Sequence, residues 1–291
     1  YSNDTGTAPR RLYLAETTYG AGAVGNQYYG YIAGSHTQPG TKKSLIQRMD
    51  YSNDTTNASQ RASLSQIQSG NSGAGNADFG YLLGGYVPPN SGHSNVERIT
   101  YTNDTATTSV RSYSTAPGGG RSGNSNNTSG WWASAGLSST IIERIDYNND
   151  TANAVQRASL AGNRYFSYGG GPQQFGLLDP NVAAYPQGTV GSYGAGYWAG
   201  GTVPGTQTTV DRIDFANDTS VVTKGPLTNA RCFQAGTGSK DYGYIGGGNG
   251  PVSTVERIDY SNDTADPLVK GSLTYGSRCN SAVGNPSYGY W

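Results

Sequence analysis

The phrase VERIDYSNDTA, from Val255 to Ala265, returns as VERITYTNDTA from Val96, IERIDYNNDTA from Ile142 and VDRIDFANDTS from Val210. A looser copy, IQRMDYSNDTT, starts at Ile46, and the chain opens on YSNDTG. Self-similarity at a fixed period of roughly 20 to 50 residues belongs to arrays, solenoids and propellers, so this phrase limits the fold more than any other feature. Its opening aromatic falls at Tyr1, Tyr51, Tyr101, Tyr147, Phe215 and Tyr260, at intervals of 50, 50, 46, 68 and 45 residues. A second landmark keeps step: GYIAGS from Gly30, GYLLGG from Gly80, GWWASAG from Gly130, GYWAGG from Gly196 and GYIGGG from Gly243, with GYW closing the chain. A third is a basic residue after each NDT, at Arg61, Arg111, Arg157, Lys224 and Lys270.

Each unit reads as four short strands. The stretches 278–284 and 288–291 are a first and second strand, 254–260 a third, and the residues from Thr264 onward a fourth. Asn and Asp bond nearby backbone and tolerate left-handed φ, so SNDT reads as the hairpin turn between third and fourth strands. The 44 glycines and 23 tyrosines favour strand and turn over helix. A lone four-stranded sheet leaves a face bare, and radial packing around an axis buries it. The expected fold is therefore all-β: a six-bladed propeller of four-stranded blades, each about 45–50 residues, as one domain over 1–291. Its units start near residues 1, 51, 101, 147, 215 and 260. Only five Arg-Ile-Asp-type strands accompany the six NDT turns, which places the seam inside one blade. Either the ring closes with an incomplete seam blade, or the chain is a window cut from a longer array; the window is preferred, since both ends fall mid-repeat and the first residue is Tyr.

The order Arg, then Gly-aromatic-x-x-Gly-Gly, then a strand ending in Asp and a polar turn, resembles the kelch repeat; YGYIGGGNGPVSTVERIDYSNDT, from Tyr242 to Thr264, carries it best. The kelch tryptophan after the turn is absent, so the repeat is kelch-like. ERIDYSNDTA together with GYxxGG more closely resembles tandem repeats of large virion structural proteins of marine cyanophages. That resemblance implies a non-enzymatic, tail-fibre-like module, located in the virion or outside the cell. Its implied partners are other virion proteins or copies of itself, and a host-surface glycan or protein. The alternative is a secreted carbohydrate-binding or glycan-active propeller protein.

The recurring Arg48, Arg98, Arg144, Arg212 and Arg257 are expected to pair with an acid of their own or the adjacent blade. Asp146, Asp214 and Asp259 are candidates, as are the NDT aspartates. The unit from Tyr147 to Asp214 is about twenty residues longer than its siblings, with the excess within 163–194. Insertions on a repeat scaffold become loops, and loops carry recognition. Tyr165, Phe166, Tyr168, Phe175 and Tyr185 are the candidate recognition residues, since aromatic side chains contact protein and sugar faces well.

Zero formal net charge, with 13% charged residues, disfavours nucleic acid as a partner. No apolar run approaches the ~18 residues of a membrane span, so no membrane insertion is expected. Nor is any cofactor or metal: His36 and His93 lie in second-to-third-strand loops and read as solvated, without metal-ligand spacing. Acids repeated in every unit read as structural, because a catalytic pair is needed once. Cys232 and Cys279 read as small buried residues at equivalent positions of neighbouring units, too far apart to bridge. Each NDT is formally an Asn-x-Thr sequon, and Asn127 begins another, but the turn reading is preferred.

Overall fold

The computed structural model describes residues 3–37, 40–134, 136, 139–170, 194–250 and 252–291. Its elements are strands joined by turns and single-turn 3-10 helices. Five four-stranded antiparallel sheets follow one another along the chain in a β-propeller arrangement. The first blade is Gly22–Gly25, Tyr29–His36, Lys42–Asp50 and Ser59–Gln68. The second is Ser72–Gly75, Phe79–Leu83, Asn95–Thr100 and Ser109–Tyr113. The third is Ser122–Ser125, Ser129–Ala133, Ile141–Asp146 and Val155–Ser159. The fourth is Tyr168–Gly170, Ala195–Ala199, Val210–Asp214 and Asn217–Lys224. The fifth is Ala235–Gly238, Tyr242–Gly246, Val252–Asp259 and Leu268–Ser277. In each, every strand pairs with the next one of its blade; in the second, a small hairpin of Tyr86–Val87 and Ser91–Gly92 intervenes between the middle two.

Five four-stranded blades replace the six expected. The sixth place is taken by a two-stranded sheet, Val283–Gly284 and Gly289–Tyr290. The physical reason is the absence, among the described residues, of a third strand for that unit. Residues 7–14 run where a fourth strand would, but without a ladder partner they form no strand. The ring nonetheless closes: the first strands of consecutive units touch all the way round, with Val283–Gly284 against both Ala235–Gly238 and Gly22–Gly25.

The repeated phrase explains its own local structure. In the third strand, alternate residues face opposite neighbours, so Ile99, Ile145, Ile213 and Ile258 enter the core. The turn opens with a residue that accepts its own cap: Asp50 from the N–H of Ser52, Asp146 from Asn148, Asp214 from Ala216 and Asp259 from Ser261, each at 2.9 Å. The Asn side chain of NDT then accepts from the Thr hydroxyl, as in Asn217 with Thr219 at 2.9 Å. Close approach of the inner strands demands glycine. A Cβ on Gly73 would stand 1.9 Å from the carbonyl oxygen of Ala23, and one on Gly123 would stand 2.1 Å from that of Gly73.

Candidate recognition site at the propeller axis

The turn that ends one unit clamps the unit before it. Asp104 accepts from the Tyr31 hydroxyl (2.9 Å), Arg48 (2.7 Å) and Arg61 (3.0 Å). Asp150 does the same with Tyr81, Arg98 and Arg111, and Asp218 with Trp131, Arg144 and Arg157. Asp263 meets Tyr197, Arg212 and Lys224, and Asp4 meets Tyr244, Arg257 and Lys270. Burial pushes the Asp150 carboxyl up, but the hydrogen bonds from Arg111 and Tyr81 and the nearby charges outweigh it and hold it below the usual range. The aromatic that opens the phrase stacks on the same second-strand ring: Tyr101 on Tyr31 at 5.1 Å, Tyr147 on Tyr81 at 4.6 Å, Phe215 on Trp131 at 4.1 Å and Tyr260 on Tyr197 at 5.0 Å.

The recurring arginines therefore meet the NDT aspartate of the next unit. Asp146, Asp214 and Asp259 are turn caps instead, a correction to their expected pairing. Their position two residues after the arginine puts them at the strand end, within reach of the turn amides. A second set of contacts uses the third-strand acids. Fully buried Glu97, Glu143, Asp211 and Glu256 each accept a backbone N–H from the preceding unit, at Ser65, Thr115, Ala161 and Thr228. Arg121, Arg164 and Arg231 pair with the last three. The repeated charges are thus occupied in joining units.

A different feature sits on the axis. Gly20, Gly70, Gly120, Phe166, Phe233 and Cys279 each stand four or five residues before the end of an inner strand or its equivalent. All six are left-handed, with φ from +53° to +74°. Each donates its N–H to the carbonyl of the one before: Gly70 to Gly20, Gly120 to Gly70, Phe166 to Gly120, Phe233 to Phe166, Cys279 to Phe233, and Gly20 back to Cys279, at 2.6–3.2 Å. Six units thus close a circle of backbone hydrogen bonds. Left-handed φ is nearly free for glycine and strained for Phe and Cys, so three ring positions bear a steric cost that the closed circle holds in place.

On one side of this circle opens a mouth of about 400 Å³, lined by Tyr19, His36, Lys42, Tyr86, Asn90, Phe166, Phe233 and Cys279. The loops between second and third strands and the links between units share this face, because alternate connections of an antiparallel sheet leave from alternate ends. The NDT turns leave from the other. Phe166 and Phe233 rings lie 4.2 Å apart, and Tyr165 packs on Phe166 at 4.0 Å. The Tyr165 and Tyr86 hydroxyls hydrogen-bond at 2.6 Å, bracing one wall. Opposite, Tyr19 meets His36 edge-on at 4.6 Å, and Lys42 donates to the Asn90 side chain at 2.7 Å. On the inner side of the circle is a smaller cavity of about 100 Å³, where Asn71, Arg121, Gln234 and Asn280 line the wall.

Of the five aromatics chosen from the sequence, Phe166 lines the mouth, and Tyr165 packs against Phe166 and Tyr86 in its wall. Tyr168 begins the first strand of blade 4, and Phe175 and Tyr185 lie outside the described residues. Tyr19, Tyr86 and Phe233 belong to the same mouth and were not among them. The 50-residue spacing of Gly20, Gly70 and Gly120 was the available signal. His36 and His93 are half-buried rather than solvated. Burial lowers the pKa of both, with His93 brought down to about 4. Cys232 and Cys279 are free thiols. They are not equivalent, because Cys279 occupies the ring position of Phe233 and Cys232 precedes it by one. Among the described residues no group of three or more His, Cys, Asp or Glu is placed to hold a metal ion. Among the same residues no helix is long and apolar enough to cross a membrane. Comparison of the chain with protein-family models and with curated proteins finds no match.

Proposed function

We propose that the chain is a non-enzymatic recognition and scaffold module, a kelch-like propeller serving as a tail-fibre-like structural part of a virion, outside the cell. The axial mouth is its contact surface, and a host-surface glycan is the ligand class it suits. The observation that carries this reading is the mouth itself: four aromatic side chains, Tyr19, Tyr86, Phe166 and Phe233, around a concave floor fixed by backbone hydrogen bonds. Aromatic faces stack on the apolar faces of sugar rings, while His36, Lys42 and Asn90 offer polar groups to hydroxyls. Support for a structural role comes from the charged clusters, which are spent on joining units.

The test is a glycan array probed with the whole chain and with Tyr19→Ala and Phe166→Ala. Retention of selected glycans, weakened about tenfold or more by either variant, is expected. No glycan retained, or retention indifferent to both variants, would refute the mouth as a sugar site.

A further inference from the structure

The charges of this chain sum to zero but are unevenly placed. Every Lys and Arg but three forms an ion pair with a described carboxylate, and the three are Arg10, Lys42 and Arg278. Arg10 lies over the Tyr13 ring at 4.7 Å. The other two stand at the axial mouth. Lys42 lines it, and its ammonium donates to the Asn90 side chain at 2.7 Å and to the Pro89 carbonyl at 3.4 Å, which leaves one N–H to spare among the described residues. Arg278 is exposed and immediately precedes Cys279 of the backbone circle. Two lining residues feel its charge. Burial pushes the Cys279 thiol up, against the Tyr19 hydroxyl and Arg278; Tyr19 is raised by its hydrogen bond to Cys279 and by burial, again against Arg278.

The acids that balance these cations are elsewhere. The clamp aspartates, the caps Asp50, Asp146, Asp214 and Asp259, and Asp78 and Asp241 between first and second strands all lie at the end where the NDT turns leave. Nearer the mouth, the buried third-strand acids are taken by backbone amides and by Arg121, Arg164 and Arg231, and Glu16 by Lys43 at 3.3 Å. Among the described residues that line the mouth there is no carboxylate. Its cationic groups are also in line. Tyr19, which hydrogen-bonds Cys279, bridges to His36, and Lys42 lies directly opposite His36 in the ladder. Burial, and after it the charge of Lys42, lowers the His36 pKa below its ordinary value, so in neutral solution the charge here is that of Lys42 and Arg278. The order of the circle sets this arc beside the aromatic one, because Cys279 donates its N–H to Phe233, and Phe233 to Phe166.

We propose that the ligand of this mouth is an acidic sugar, one that carries a carboxylate, as uronic and sialic acids do; this rests on the reading of the mouth as a glycan site. The sugar ring lies on Phe166 and Phe233, and the carboxylate accepts from Lys42 and Arg278. Two cations beside a concave, aromatic-lined space also draw an anion toward it, although the chain as a whole is neutral. A neutral sugar gains the stacking but leaves both cations as they are in the empty mouth.

The test uses the whole chain on a glycan array that carries uronate- and sialate-terminated glycans beside neutral ones. Retention of the acidic glycans is expected. The strongest of them is then compared by calorimetry with its carboxyl-reduced form, which keeps the ring and loses the charge. The reduced form should bind about fivefold more weakly, a charge-assisted hydrogen bond discounted for the exposure of Arg278. Raising the salt from about 0.1 M to about 1 M should close most of that gap, and Lys42→Gln and Arg278→Gln should each narrow it. Neutral glycans retained as well as acidic ones, or a gap indifferent to salt and to both variants, overturns the acidic-sugar assignment and leaves the glycan reading standing. No glycan retained overturns both. The salt comparison is made on the unaltered chain, so it decides even where a variant folds poorly.

Discussion

The clamp aspartates offer a graded experiment, because one substitution can be placed at symmetric positions whose surroundings differ. At Asp150, Asn keeps the shape and removes the charge. The side chain there is 6% exposed and receives Tyr81, Arg98 and Arg111, the arginines being 23% and 29% exposed. A hydrogen bond to a charged group contributes about 1.5–3 kcal/mol, and an unpaired buried hydroxyl costs about 1–3 kcal/mol. The arginines keep part of their hydration, so their share is discounted, and an Asn oxygen still accepts one bond. The expected loss is about 3 kcal/mol, or roughly 6 °C in melting temperature for a chain of this size. At Asp54, 20% exposed with one arginine that is itself 48% exposed, the same change should lower the melting temperature by less than half as much. Scanning calorimetry on both variants decides. Equal shifts, or an Asp150→Asn protein within about 1 °C of the unaltered chain, would refute the idea that these clusters tie the units together.

Other outcomes follow from the same structure. Gly123→Ala forces a Cβ against a backbone carbonyl and should cost at least about 2 kcal/mol, while Gly162→Ala, which meets nothing within 4 Å, should leave the melt unchanged. His93 has a folded pKa near 4 against an ordinary 6.5, so the unfolded chain takes up its proton first. Its stability contribution is full above about pH 6.5 and falls as pH drops toward 4, by about 1–2 kcal/mol after discounting for partial exposure. His93→Gln should flatten the slope of urea stability over that range, apart from any part due to His36. The clamp carboxyls of Asp4, Asp54, Asp104, Asp150 and Asp218 are depressed, so their stabilisation is present above the ordinary carboxylate pKa and lost only as pH falls below it. A second, steeper loss should therefore appear below about pH 4 in an acid titration followed by circular dichroism.

How much of this was legible in the sequence depends on the range of the interaction involved. The strands and the NDT hairpin are local, and a repeated pattern states them five or six times over. The partner of Arg144 is not local. Asp146 is two residues away and looks eligible, yet the carboxylate it meets is Asp218, in the next unit. Strand geometry explains the difference, because a side chain two positions on points along the same face toward the turn, where backbone amides claim it. The axial circle was hidden for another reason. Its bonds are made by backbone, so the ring residues need share only a left-handed φ, and Gly20, Phe166 and Cys279 satisfy that with no chemical likeness. The sixth unit was readable as incomplete from its missing Arg-Ile-Asp strand. That residues 10–14 would still be held in place beside the gap follows from the clamp at Asp54.

The hydrogen bonds at the axis all run in the same rotational sense, each amide pointing to the unit before. Dipoles arranged head to tail around a circle cancel, unlike those along a helix, whose ends carry partial charge. The floor of the mouth is therefore electrically neutral despite its dense backbone polarity, and its amides are turned toward one another instead of toward a visitor. An anion finds no nest of free N–H groups there, and a cation finds no cone of carbonyls. On the proposed recognition reading, a ligand on this floor would be selected by its flat faces and by the rim residues above it. The rim side chains of Tyr19, Lys42 and Tyr86 can therefore change without disturbing the circle of backbone bonds beneath.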